Sequence, residues 1–346
     1  MIYLYQILSY NANMKLNVGI LRGGAGSEYE TSIRSGGAAL LHLNRDKYRP
    51  VDLLVARDGV LHADGAPIET KDLRSIVDVV FNTLHGGPGE DGTVQKIFDD
   101  LKIPHTGSGS EKILNKYLVK KELGNLGMRT PFGITFSLPK EFESEEDFEG
   151  FVLTRAKYVF GRISPSWIIK PTLGGSSKDT FIARDFSELV LALKEVLRKY
   201  DHVLVEEYVK GREMTMGWVG GFRGKENYFL MPAEIYPNGE AGRVKNQYPI
   251  LDEETRRTGN YRVIHPRDLD KEEREGMQNF MIEAKKKLGL RHYFTADFIV
   301  TPHATYLLEV DALPAIDEHA ILPKSLESVG SSLSEFLDHA IHQALK

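Results

Sequence analysis

The sequence predicts an α/β protein: an N-terminal domain built on a doubly wound parallel sheet, then a longer α+β region of more antiparallel character. Three observations predict it. The first hundred residues alternate strand-like and helical runs, with Gly-rich turns after the strands. From Pro131 short strand segments alternate with longer helices, and the regular βα rhythm is lost. The 346-residue length suits two or three domains rather than one.

Residues 15–21 read as an apolar strand ending in Gly23-Gly24. Residues 28–43 follow as a helix, with Ile33, Ala38, Leu40 and Leu41 as its expected buried positions. Strands are expected over 48–55 and 75–83, a helix over 93–101, and closure of the unit at Pro104-His105-Thr106-Gly107. Residues 110–126 read as a charged helix. Strands then fall at 167–170, 180–183, 203–208, 214–219, 293–301 and 305–310, with helices at 187–199, 271–288 and 332–344. Residues 239–268 are polar and poorly periodic, as functional or disordered loops are. Residues 1–13 are read as a non-native or disordered extension, with Met14 the expected start of a domain over 14–109. Further units are expected over 110–190 and 191–346.

Composition narrows the function. There is no cysteine, so thiolate catalysis, disulfides and sulfur-held zinc are excluded, and a cytoplasmic location is expected. The formal net charge of -5 and the lack of a basic run argue against a nucleic-acid partner. No apolar run approaches the roughly 20 residues that span a bilayer, so no membrane role is expected.

Four stretches carry chemistry. Asp297 lies in one predicted strand, and Glu309 and Asp311 lie on one face of the next. Three converging carboxylates call for a cation, and hard oxygen ligands suit magnesium. In IIKPTLGGSSKDT, Lys170 ends a strand and precedes a turn whose N–H groups and hydroxyls, at Ser176 and Ser177, suit phosphate. Glu206 and Glu213 flank a Gly-containing turn, where carboxylates accept hydrogen bonds from adenine or ribose. In HGGPGEDG, His85 sits at a strand end before a helix N-terminus, the place for an anionic or acyl ligand. Glu90 and Asp91 read equally well as acids that complement a helix start. Each stretch alone also fits ordinary structure: a polar sheet face, a hairpin, surface acids.

Their order along the chain is more specific. A Gly-rich turn, HGGPGEDGTVQ, a helix lysine, a strand lysine with a Gly-Ser loop, paired glutamates and a final D…E-x-D resemble the ATP-grasp superfamily, and within it the D-alanine–D-alanine ligase family. The resemblance runs from about residue 15 to the C-terminus. It implies an N-terminal substrate domain, a central ATP-grasp lobe over 110–190 and a C-terminal lobe over 191–346 that carries the metal site. The implied reaction joins two D-alanines for peptidoglycan, with ATP as co-substrate, Mg2+ (or Mn2+) as cofactor and an acyl phosphate as intermediate. On that pattern Lys116 and Lys170 hold ATP phosphates, Glu206 and Glu213 bind adenine and ribose, and Ser176 sits in the loop closing over the phosphates. Asp297, Glu309 and Asp311 hold the metal, Glu30 binds the first ammonium, and His85 lies beside that substrate's carboxylate. A homodimer through the first domain is common in the family.

The departures cluster. Thr295 stands where the family has an arginine that stabilises the developing oxyanion. Asp311 replaces an asparagine, Ala315 a glycine, and Ala320 the serine that would meet the second carboxylate. Asp179 replaces a glycine, and Asn246, after Lys245, stands where a tyrosine is expected. Arg243, Arg256, Arg257 and Arg291 are the candidates to supply the missing charge. The alternatives are therefore an ATP-grasp ligase with a different acceptor, or a nucleotide-binding homologue with impaired catalysis. A Rossmann dehydrogenase is disfavoured, because GGAGSE lacks the G-x-G-x-x-G spacing.

Overall fold

A computed structural model describes residues 15–140, 142–174, 179–237 and 258–346. Residues 1–13, Ser176, Ser177, Arg243, Lys245, Asn246, Arg256 and Arg257 lie outside the described residues. Three sheets organise the rest.

The first sheet has β1 (Leu16–Gly23), β2 (Tyr48–Val55), β3 (Leu61–Ala63), β4 (Ala66–Pro67) and β5 (Val79–Asn82) in the order β4-β3-β2-β1-β5. β1 is parallel to both β2 and β5, and the β3–β4 hairpin extends the β2 edge. Period-2 alternation sends Val18, Ile20, Val79 and Phe81 into one core. Leu21, Leu53 and Val80 enter another, with Leu73 and Phe98. Both faces are covered, as a doubly wound sheet requires. The first core also takes Phe336, Leu337 and Ile341 from the C-terminal helix Leu333–Ala344.

The helix Tyr29–His42 buries Ser32, Ser35, Gly36 and Ala39, not the expected apolar set, and Leu41 is 76% exposed. Close approach to the sheet is the reason. A Cβ on Gly36 would lie 2.5 Å from that of Arg22. The Ser32 hydroxyl accepts from Gly23 N–H and donates to the Thr83 carbonyl. The strand expected over 75–83 shrinks to β5, because Leu73–Ile76 is a helical turn whose Leu73 is buried. A short apolar run does not separate the two by periodicity.

The central sheet has β6 (Gly133–Ser137), β7 (Trp167–Pro171), β8 (Phe181–Ala183) and β9 (His202–Glu207), in the order β6-β9-β7-β8 and all antiparallel. Trp167, Ile169, Val203 and Val205 pack under the helices Glu145–Phe160 and Phe186–Leu197. Ile168, Lys170 and Glu206 therefore point the other way, into a cavity. β9 pairs with both β6 and β7, so the chain stays in this sheet through Glu207.

The third sheet has β10 (Arg212–Gly220), β11 (Asn227–Phe229), β12 (Ala233–Pro237), β13 (Tyr261–Ile264), β14 (Tyr293–Thr301) and β15 (Ala304–Asp311). Its order is β13-β12-β10-β14-β15, with β11 also on β10. β13 falls inside the stretch read as loop, where pairing with β12 overrides weak periodicity. Met214, Met216, Phe294, Phe298 and Val300 pack with Met277 and Met281 of the helix Lys271–Leu288. That leaves Glu213, Thr215, Thr295 and Asp297 on the opposite face, toward the central sheet. Among the described residues no helix is long and apolar enough to cross a membrane.

Candidate active site

β14 and β15 bring the expected carboxylates onto one ladder. Asp297 is paired with Glu309 and Thr295 with Asp311. Asp297 accepts from the Thr215 hydroxyl at 2.6 Å, Glu309 lies 3.6 Å from the Lys116 ammonium, and Asp311 accepts from Leu313 N–H at 3.0 Å. Burial pushes Asp311 up to about 7; the charges of Glu309, Glu28 and Asp297 add to this against the Leu313 hydrogen bond. Glu90 is raised well above the usual carboxylate range by burial and by Asp311 and Glu28. A buried surplus of negative charge made of hard oxygens fits a divalent cation. Among the described residues no three such groups are already drawn to metal-ligand spacing.

Beside the row lies a cavity of about 490 Å³ between the central and third sheets. Lys170 reaches Glu206 at 2.8 Å, and Lys120 bonds the other oxygen of the same carboxylate. Lys170 and Lys116 both stand on the lining of this cavity, and their ammonium groups suit polyphosphate. Burial, reinforced by the Lys170 charge, pushes Lys120 down to about 7 against the pull of Glu206. Glu213 lines the same cavity. Lys116 opens the helix Lys116–Gly124, whose N-cap is Asn115, and its ammonium bonds the Gly174 carbonyl. A cation at a helix N-terminus opposes the macrodipole, so an anion there is favourable. The helix expected over 110–126 breaks at Asn115, and this break puts Lys116 at its start. Sequence reasoning missed Lys120; its i+4 spacing from Lys116 was the available signal.

Asp179 adopts φ +52, the left-handed region that explains the glycine expected there. Its carboxylate is held by Lys199 at 2.8 Å and the Tyr200 hydroxyl at 2.6 Å.

A second cavity, of about 220 Å³, lies between the first and third sheets. His85 enters it from the turn after β5. Its Nε2 lies 3.1 Å from the Ser35 hydroxyl, which accepts from Ile316 N–H at 3.2 Å. Burial lowers the His85 pKa and keeps the ring neutral. Gly89 is required by close packing, since a Cβ there would lie 2.4 Å from the Leu84 carbonyl oxygen. Glu30 lines the cavity at its rim, paired with Arg57 at 2.8 Å and 65% exposed. Glu28, two residues earlier, sits deeper, and its charge acts on His85, Glu90 and Asp311. Sequence reasoning assigned Glu28 no role; nothing in the pattern separates it from Glu30. Thr295, Ala315 and Ala320 all line this cavity. Arg291 does not: it bonds His105 and the Gly107 carbonyl instead. Among the described residues the arginine lining this cavity is Arg34.

The two cavities meet. Lys116, Asp297 and Glu309 line both.

A parallel-sheet domain, two facing antiparallel lobes and a lysine-lined cavity closed by carboxylates define an ATP-grasp ligase. The model of the D-ala D-ala ligase C-terminus matches residues 142–342, and that of the N-terminus matches residues 60–108. The D-alanine–D-alanine ligase of Fervidobacterium nodosum is 32% identical over 95% of this chain and 99% of its own length. That of Syntrophotalea carbinolica is 29% identical over 94% of each. The crystal structure of the Bacillus anthracis D-alanine–D-alanine ligase complexed with ATP superposes with a TM-score of 0.71 at 26% identity, covering 95% of this chain and 97% of that one. The VanG D-Ala:D-Ser ligase of Enterococcus faecalis shares the fold, with a TM-score of 0.77 at 23% identity over 96% of this chain and 100% of that one. The chain belongs to the D-alanine–D-alanine ligase family.

Proposed function

We propose that this ATP-dependent ligase joins two D-alanines into D-alanyl-D-alanine. The observation that carries the reading is the shared wall: Lys116, Asp297 and Glu309 border both the phosphate-binding cavity and the amino-acid cavity. A γ-phosphoryl group at this junction lies within reach of a carboxylate on the other side. A donor carboxylate oxygen attacks the γ-phosphorus, ADP leaves, and an acyl phosphate forms. The acceptor amine then adds to the acyl carbon, the tetrahedral intermediate collapses, and phosphate departs as the amide forms.

In this reading Lys116 and Lys170 neutralise phosphate oxygens, and Glu213 with the Glu206 region holds the nucleoside. Glu30 takes the donor ammonium at the rim, and neutral His85 lies beside the donor carboxylate. Ser176 and Ser177 belong to the loop that covers the phosphates. Asp297, Glu309 and Asp311 would hold magnesium, which would supply charge neutralisation for phosphoryl transfer. The residues' part is positioning and electrostatic stabilisation. The enzyme would act in the cytoplasm for peptidoglycan synthesis, as a homodimer.

Thr295, Ala315 and Ala320 in one cavity favour a second reading, the same chemistry with another acceptor. ADP release and product mass with D-alanine alone, then with D-alanine plus a panel of amino and hydroxy acids, separate the two. A dipeptide from D-alanine alone supports the first reading. A mixed product alone supports the second, and no ADP with any donor overturns both.

A further inference from the structure

Resting on the ligase reading above, the amino-acid cavity poses a charge problem. The donor's carboxylate is consumed at the junction, but the acceptor amino acid keeps its own. That carboxylate must enter a cavity already lined by Glu28, Glu30, Glu90 and Asp311. Thr295 offers it no charge. Among the described residues the side chains with permanent positive charge on this lining are Lys116 and Arg34. Lys116 is committed to the junction, on Glu309 and the Gly174 carbonyl.

Arg34 projects from the helix Tyr29–His42, and its hydrogen bonding is incomplete. Its Nε is buried without a hydrogen-bond partner. One Nη donates to Thr31 Oγ1 at a long 3.3 Å. Asp317 stands 3.6 Å from Nε, an ion pair beyond hydrogen-bond length. Asp317 itself is fixed: it is buried, and its other oxygen accepts from His319 N–H at 3.0 Å. An arginine held on a rigid helix, with a fixed carboxylate at one edge and unused donors, is set up for a second planar anion.

We propose that Arg34 binds the free carboxylate of the acceptor amino acid and that Asp317 positions its guanidinium. Arg34 thereby supplies, from the N-terminal domain, positive charge that the family places at the position of Thr295.

The test compares D-alanine with D-alaninamide as acceptor, with D-alanine at donor-saturating concentration and products resolved by mass spectrometry. The wild-type enzyme is expected to favour D-alanine by about 10- to 100-fold in kcat/KM, the range of a charge-assisted hydrogen-bonded pair. Arg34→Met should lose that preference, through a larger fall in kcat/KM for D-alanine than for D-alaninamide. Arg34→Lys should keep part of it, since charge remains but the fork is lost. Asp317→Asn should raise acceptor KM more than it lowers kcat, and reduce the same preference. If Arg34→Met does not fold, Arg34→Lys and Asp317→Asn decide by that ratio. An active wild type whose preference survives in the variants overturns the Arg34 assignment and leaves the ligase reading standing. So does a wild type that prefers the amide. A wild type that releases no ADP with any donor overturns the ligase reading, and this inference with it.

Discussion

Replacing Glu206 with glutamine removes the single carboxylate that two buried ammonium groups share. The Glu206, Lys120 and Lys170 side chains are 3%, 6% and 11% exposed. Breaking a buried pair by deleting one partner typically costs roughly 3–5 kcal/mol, because the charge left behind is uncompensated. At pH 8 Lys120, pushed down to about 7, is already mostly neutral, so Lys170 is the charge left uncompensated. The expected destabilisation at pH 8 is therefore near the lower end, about 3 kcal/mol. Lys120→Met is the informative contrast. It leaves Glu206 and Lys170 as a one-to-one pair at 2.8 Å with neither charge uncompensated, so its cost should stay below about 1.5 kcal/mol. Urea unfolding followed by tryptophan fluorescence reads both variants, since buried Trp167 lies in the same sheet. A Lys120→Met variant as unstable as Glu206→Gln would refute the view that the Glu206–Lys170 pair carries this stability.

The same triad predicts a pH dependence. The unfolded chain holds the Lys120 proton to about 10.5 while the folded protein releases it near 7, so between these values the unfolded state binds more protons and this group makes stability rise with pH. Unfolding titrations across that window should show the Lys120 part of the slope vanish in Lys120→Met. Asp179→Ala keeps a left-handed φ and loses the bonds to Lys199 and Tyr200, for about 2 kcal/mol, whereas Asp179→Gly relieves the backbone and should cost less; thermal unfolding of the pair decides. Gly89→Ala forces a methyl against the Leu84 carbonyl, so about 1–3 kcal/mol of stability should go, with a raised amino-acid KM as the turn that carries His85 shifts.

What the sequence disclosed follows from how local each signal is. β2, β14 and the helix Lys271–Leu288 were legible to the residue, because apolar β-branched and aromatic runs mark the strands and a capping box marks the helix start. Period-2 alternation also placed Glu309 and Asp311 on one face, and pairing set Asp297 opposite Glu309. The buried face of the helix Tyr29–His42 was not legible, since it is made of small polar residues that matter only against the sheet. Lys120, Glu28 and Arg34 escaped for a related reason. Each is an ordinary charged residue on a helix or loop until the fold brings it to Glu206, His85 or Asp317. Arg291 shows the converse: near in sequence to Thr295, it is turned toward His105 and Gly107.

The central claim is that phosphoryl transfer to a donor carboxylate takes place where the two cavities meet at Lys116, Asp297 and Glu309. Supplying D-alanine labelled with 18O in its carboxylate, together with ATP and Mg2+, tests it most directly. In an acyl-phosphate route one carboxylate oxygen leaves with the phosphorus, so 31P NMR should show one 18O in the released phosphate for each dipeptide formed. Phosphate released without 18O would contradict the account.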